Sequence, residues 1–384
     1  WSFSNTLRFM ISMEGKSMRD ELLEYFDFDK FTPTNSSFNQ RRAQILPEAF
    51  EFLFHEFTNC FCKKDACYKG FRLIACDGSS LDISHNPADK TTYLQSSPDV
   101  KGFNQLHLNA LYDLCQRTYV DAEIQPGRQK NEDSAMCHMV DRYDGEKAIF
   151  IADRNYESYN IFAHVEQKGM YYLIRVKDIK SSGMLSGMKL PDTDSFDTEK
   201  TFILTRKQTN AVKAEKEKYR FLPTKTTFDY LDLHTNKFYE MNMRIVRFPI
   251  SQNSYECIIT NLPRDEFSYE EIKWLYQKRW GIETSFRELK HAIGLTRFHA
   301  KKVEYIKQEI WARMLLYNFC EVITTKVVVT QKLNRKHFYQ VNYTRAIRIC
   351  CFFVRTKKAP PDVEYLIRQE LLPVRTGQSN PRKV

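Results

Sequence analysis

The spacing of apolar residues changes period three times along this chain, and each change marks a block. Over residues 1–66 the period is helical. LRFMISMEGKSMRDELLEYF and SSFNQRRAQILPEAFEFLFHEF both repeat apolar side chains every three to four positions, and the second run opens on Ser36 and Ser37, which suit a helix cap. The polar TPTN segment separates the two runs. From residue 71 the pattern shortens: FRLIACDGSS is an apolar run ending in Asp77-Gly78, which predicts a buried strand stopped by a turn. Two further runs, about 105–113 and 117–125, predict a hairpin. A helix near 131–142, a strand in KAIFIADRNY ending at Asp153, a helix near 156–167 and the strand MYYLIRVK follow, giving a mixed α/β order. Residues 178–262 hold β-like runs rich in turn signals and read as an all-β insertion. Helices return over about 267–292, in KQEIWARMLLYNFCEVITTKVVV and in YTRAIRICCFFVR, and the tail RTGQSNPRKV is polar, basic and expected to be mobile.

The helix containing YQKRWGIETSFRELK, residues 276–290, carries the densest chemistry. At about 100° per residue, Tyr276, Arg279, Glu283, Arg287 and Lys290 share a sector of roughly 80°, bordering an apolar sector of Leu275, Ile282, Phe286, Leu289 and Ile293. A carboxylate between cations at the edge of a core can hold a metal or meet a phosphate. The i,i+4 pairs Arg279/Glu283 and Glu283/Arg287 equally suit an ordinary solvated, salt-bridged face. Asp77 and Asp153 each stand at the expected carboxyl end of an apolar strand, where mixed sheets line their functional crevice. Two such aspartates with a helix glutamate make a layout for phosphodiester chemistry, in which three carboxylates hold two Mg²⁺ ions about 3.5–4 Å apart. Magnesium takes hard oxygen ligands, and three close carboxylates without an ion repel one another.

With 384 residues, 42% of them apolar, the chain can bury a sizeable core over two or three subdomains. Its net charge of +10 is uneven: residues 271–384 carry 23 Lys and Arg against 9 Asp and Glu, so the basic excess belongs to the last third. That asymmetry suits a polyanionic partner, DNA or RNA first, or a solubilising surface. Apolar runs such as TTKVVVT fall short of the roughly 20 residues of a membrane span, and no signal peptide is apparent, so a cytoplasmic protein without membrane association is expected. The chain opens on Trp1 within a helical pattern, and its natural start is expected upstream. Ten cysteines are present; Cys60, Cys62 and Cys67, with His55 nearby, lack the paired knuckles of a structural zinc site, and Cys76, Cys115, Cys320, Cys350 and Cys351 lie in apolar runs. Reduced thiols are the expectation. No glycine-rich phosphate loop or cofactor motif occurs.

Four blocks, ACDGSSL, FIADRNYES, IITNL and the 276–290 stretch, resemble those of bacterial insertion-sequence DDE transposases of the insertion-sequence-four family. That family's signature is Tyr, two residues, Arg, three residues, Glu, six residues, Lys, and Tyr276, Arg279, Glu283 and Lys290 match it. The resemblance runs from about residue 5 to 350 and includes SFNQRR. It implies an α/β fold with a ribonuclease H-like catalytic core in two parts, 67–177 and 263–335, separated by the β-strand insertion 178–262. A helical N-terminal DNA-binding region, 1–66, and a basic helical C-terminal region with tail, 336–384, flank that core. The implied activity is Mg²⁺-dependent cleavage, with Mn²⁺ as a substitute, of double-stranded DNA at transposon terminal inverted repeats. Transfer of the 3′-hydroxyl strand into target DNA follows, by a homodimer in a synaptic complex at the bacterial nucleoid. Asp77, Asp153 and Glu283 are the implied catalytic metal ligands; Tyr276 and Arg279 would contact phosphate, Lys290 would support the same DNA, and Trp280 would either pack on a displaced base or belong to the core. Arg41 and Arg42, on the helix after TPTN, are candidates for phosphate contact. His107, Asn109, Arg154 and Asn155 are secondary candidates, and Asp82, Asp113 and Glu288 are rival acids. Two other readings stand beside this one: a domesticated or inactive copy retained as a DNA-binding protein, and a ribonuclease H-like nuclease.

Overall fold

A computed structural model, describing residues 1–62, 67–215, 217–252, 254–327, 338–356 and 362–374, contains one mixed sheet of ten strands clad by helices. The basic tail from residue 375 and residues 63–66, between Cys62 and Cys67, lie outside the described residues. Four N-terminal helices precede the sheet: α1 (Phe3–Ser12), α2 (Met18–Tyr25), α3 (Asn35–Arg42) and α4 (Pro47–Phe61). Each expected helical run is therefore two helices. Gly15, at φ 90°, lies between α1 and α2, and Pro47, which has no N–H to donate, opens α4 at its first turn instead of continuing α3. The cap of α3 is Thr34, which accepts from Ser37 N, rather than the expected serines.

The sheet begins with β1 (Arg72–Ile83), β2 (Tyr93–Leu94), β3 (Phe103–Asp113), β4 (Thr118–Pro126), β5 (Ala148–Ala152) and β6 (Tyr171–Val176). The expected hairpin is β3–β4, antiparallel to each other, with β3 antiparallel to β1. From β1 the sheet runs parallel through β5 to β6. Helices α5 (Glu132–Arg142) and α6 (Tyr159–Gln167) pack on one face against Ile74, Cys76, Phe150 and Ile174. Leu73, Ile149, Ile151 and Leu173 point to the other face, as the two-residue pleat requires.

Residues 178–262 do not form an independent β unit. Their strands β7 (Phe196–Thr205), β8 (Tyr219–Phe221), β9 (Phe238–Ser251) and β10 (Ser254–Thr260) extend the same sheet, β10 pairing with β6. They also include a helix, α7 (Asn210–Ala214), so the block is not all-β. Two helices follow, α8 (Tyr269–Lys278) and α9 (Trp280–His291), and then α10 (Val303–Thr324), whose Ile306, Ile310, Met314, Leu316 and Cys320 are buried. Each of the isoleucine, methionine and leucine side chains contributes about 1.5–3 kcal/mol of hydrophobic burial. Helix α10 packs on α1, α4 and α11 (Tyr343–Thr356), tying the two ends of the chain to the sheet. The short helix α12 (Val363–Gln369) and the two-stranded β11 (Phe338–Val341) and β12 (Leu371–Val374) complete the described chain. Among the described residues no helix is long and apolar enough to cross a membrane.

Cysteine chemistry departs from expectation at one point. Cys67 pairs with Cys115, with their α-carbons 6.2 Å apart, because the segment entering β1 folds back beside the β3–β4 turn. Cys76, Cys320, Cys350 and Cys351 are unpaired and buried, as their apolar surroundings predict.

Candidate active site

Strand pairing explains why two aspartates from distant parts of the chain come together. β5 ends at Ala152, which lies opposite Cys76 in β1, so Asp77 and Asp153 leave the parallel pair side by side. β1 itself continues to Ile83 because β3 pairs along its other edge, with Asp77 opposite Ala110. The expectation that Asp77-Gly78 turns the chain is thus corrected: both residues are inside a strand. Asp77 Oδ1 accepts a hydrogen bond from Gly78 N at 2.8 Å, and Asp153 Oδ1 accepts one from Asn155 N at 2.8 Å, capping the 3-10 turn Arg154–Tyr156.

The glutamate approaches from the helical side. The single helix expected over 267–292 is interrupted at Arg279, which keeps helical angles, φ −49° and ψ −33°, between α8 and α9. Its side chain is buried at 5% exposure. Nη2 donates to Glu283 Oε1 at 2.7 Å, and Nη1 lies 3.9 Å from Asp77 Oδ2, so one guanidinium bridges the strand acid and the helix acid. Arg279 Nε and Nη1 and the phenol oxygen of buried Tyr276 have no hydrogen-bond partner. Arg279 Cζ stands 5.8 Å from the Tyr276 ring and 5.1 Å from the Trp280 ring. Lys290 Nζ donates to Ser80 O at 3.0 Å, fixing the far end of α9 to β1.

Burial is the main force on this charge cluster. It pushes the Asp77 carboxyl up to about 6; Asp153 and Glu283 push the same way, while the Gly78 N–H and Arg279 oppose them. Burial also raises the Tyr276 phenol, keeping it a neutral donor, and lowers the Lys290 ammonium. The three predicted acids therefore share one electrostatic site. As the side chains stand, no group of three or more His, Cys, Asp and Glu among the described residues could hold a metal ion. The donor type nonetheless suits Mg²⁺ or Mn²⁺, which take hard carboxylate oxygens.

The remaining predicted residues divide. Trp280 leaves 54% of its surface exposed, so core packing does not account for it; it lines a cleft of about 1120 Å³ with Arg117, Lys278 and Arg287. Arg41 is exposed on α3. Arg42 is not: it is 1% exposed and donates to Glu309 Oε1, Gln308 Oε1 and Tyr305 O, which corrects its assignment to DNA contact, because its donors are spent inside the protein. His107 and Asn109 are buried on the α5 side of the sheet, where His107 Nε2 lies 2.9 Å from Glu132 Oε1. Asp113 is taken by Arg72 at 2.7 Å, Glu288 by the Tyr317 phenol at 3.1 Å, and Asp82 by Gln105 at 2.9 Å.

Sequence reasoning missed one pair. Arg175 on β6 lies 3.4 Å from Glu256 on β10, and the charges of both reach Tyr276. The signal was a lone arginine inside MYYLIRVK, at the strand parity of buried Leu173.

Two strand aspartates at the end of a parallel pair thus stand beside a helix glutamate, with a buried guanidinium between them. A family model described as Transposase DDE domain matches residues 68–319, and the chain belongs to that family. Over 58 residues it is 40% identical to the protein named as transposase InsL of insertion sequence element IS186A in Escherichia coli K12, and equally to the transposase of insertion sequence element IS421 in Escherichia coli. The matched stretch is 15% of this chain and 16% of each relative's length. Among solved structures, a piggyBac transposase synaptic complex with hairpin DNA superposes with a TM-score of 0.43 at 11% identity, over 98% of this chain and 77% of that one.

Proposed function

We propose that this protein is a DNA transposase with a ribonuclease H-like core, cleaving the ends of its own element and joining the released 3′-hydroxyl strand to target DNA. One observation carries the reading: Asp77 and Asp153 flank the end of the β1–β5 parallel pair, and Glu283 is tied to Asp77 through Arg279. The strand order, an antiparallel β4–β3–β1 followed by parallel β5 and β6, supports the ribonuclease H-like assignment. The spacing of Tyr276, Arg279, Glu283 and Lys290 supports membership of the insertion-sequence-four group.

In this reading Asp77, Asp153 and Glu283 hold Mg²⁺, with Mn²⁺ able to replace it. Such ions, when bound, would supply charge stabilisation to the attacking and leaving oxygens. The unspent donors of Arg279 and Tyr276 bind phosphate oxygens beside the cut, and Lys290 adds positive charge along the same face. Trp280, exposed next to Arg279, stacks on an unpaired base, an interaction of about 1–3 kcal/mol. Partners are the terminal inverted repeats, target DNA and a second copy of the chain, since two ends must be held together.

The decisive experiment uses a duplex carrying the repeat that flanks the gene, with Mg²⁺, and resolves products on a denaturing gel. Glu283→Gln is expected to abolish nicking while retaining DNA binding; full cleavage by that variant removes Glu283 from the mechanism. A wild-type protein that binds without nicking points to a transposase-derived DNA-binding protein, and nicking without end preference points to a nuclease.

A further inference from the structure

We infer that Arg279 is the resident cation of the DNA-free site, and that a DNA phosphate draws it off the acids, so that metal binds tightly only once DNA is seated. This rests on the reading of Asp77, Asp153 and Glu283 as metal ligands. Arg279 is well placed for such a role. It holds Glu283 Oε1 at 2.7 Å and stands 3.9 Å from Asp77 Oδ2, so one cation already lies between two of the three carboxylates. The acids are correspondingly not gathered into a ligand set.

The same guanidinium is poorly served where it lies. It is 5% exposed, yet its Nε and Nη1 lack hydrogen-bond partners, and an unsatisfied buried donor costs free energy that a new acceptor recovers. Phosphate offers that acceptor in bidentate form. The Tyr276 phenol, also without a partner, lies beside it, with Arg279 Cζ 5.8 Å from the ring. Among the other carboxylates acting on Arg279, Glu256 is paired with Arg175 at 3.4 Å and does not compete for the guanidinium.

Once Arg279 turns to phosphate, its positive charge is withdrawn from Glu283 and Asp77, and the place it held between them opens to a divalent cation. The coupling is reciprocal by linkage: whatever factor DNA adds to metal affinity, metal adds to DNA affinity.

The test titrates Mn²⁺ into the full chain, followed by electron paramagnetic resonance, with and without a duplex carrying the element's end. A protein with both Asp77→Asn and Glu283→Gln serves as the blank that defines acid-dependent sites. In wild type, DNA is expected to tighten acid-dependent Mn²⁺ binding about tenfold. Arg279→Gln is expected to bind Mn²⁺ tightly without DNA, with the DNA effect gone. Arg279→Lys, which keeps the charge but has no fork to bridge two acids, is expected to show a smaller DNA effect than wild type and serves if the glutamine variant does not fold. An unchanged DNA effect in either folded variant, or none in wild type, overturns the inference while leaving the metal reading intact. Absence of any acid-dependent Mn²⁺ site with DNA present removes the metal reading, and this inference with it.

Discussion

Gly78 shows how the physical reason for a residue can differ from its usual one. Next to Asp77 it looks like a turn glycine, yet it lies in the middle of β1. What it supplies is clearance: a Cβ there would come within 2.3 Å of His107 Nε2 and 2.8 Å of Glu132 Oε1. The His107–Glu132 pair occupies the space behind the strand, on the face opposite the aspartate. Gly78→Ala should therefore force that pair aside and destabilise the fold by about 1–3 kcal/mol, as overpacking does. Urea unfolding checks this, and a variant as stable as wild type would show that the pair yields without strain.

Between elements, the junction of α3 with α10 carries a buried charge cluster. Arg42 and Arg313 both meet Glu309, at 3.1 and 3.6 Å, and His299 lies 3.6 Å from the same carboxylate. Burial alone would raise the Glu309 carboxyl, but the His299 hydrogen bond and the charges of Arg313 and Arg42 hold it down at about 2. A carboxylate depressed in the folded state stabilises the fold above its unfolded value of 4.5, and that stabilisation drains away as pH falls from there toward 2. Thermal melts should accordingly drop through that window, and less steeply in Glu309→Gln. Arg42→Ala leaves a buried carboxylate short of a partner and should cost about 3–5 kcal/mol. If Arg42 instead served DNA, its loss would weaken DNA binding at an unchanged melting temperature.

For the molecule as a whole, charge and topology act together. The basic excess of the last third includes Lys278 and Arg287, which line the cleft beside Trp280. If DNA backbone occupies that cleft, affinity should fall steeply with salt, and each of Lys278→Ala and Arg287→Ala should flatten the logarithmic salt slope by about one. Titration of a labelled duplex over a range of salt concentrations measures it; identical slopes would place the backbone elsewhere.

Local patterns were enough to identify the mixed α/β character, the β3–β4 hairpin, α5, and the stripe of Tyr276, Arg279, Glu283 and Lys290, because period, turn residues and side-chain type are properties of neighbours in the chain. Three things were decided only by tertiary structure. Arg42 and Arg41 are adjacent and alike in sequence, but a carboxylate 267 positions away in α10 buries one and leaves the other in solvent. The strands of 178–262 join the central sheet because the open edge of β6 accepts β10, an event no local window contains. Tyr276, Arg279, Glu283 and Lys290 turn toward the sheet, which brings Asp77 to within ion-pair reach of Arg279, while Arg287 of the same expected stripe faces solvent. Spacing along a chain specifies which side chains a helix presents together; what they are presented to depends on partners hundreds of residues away, and that is set by packing.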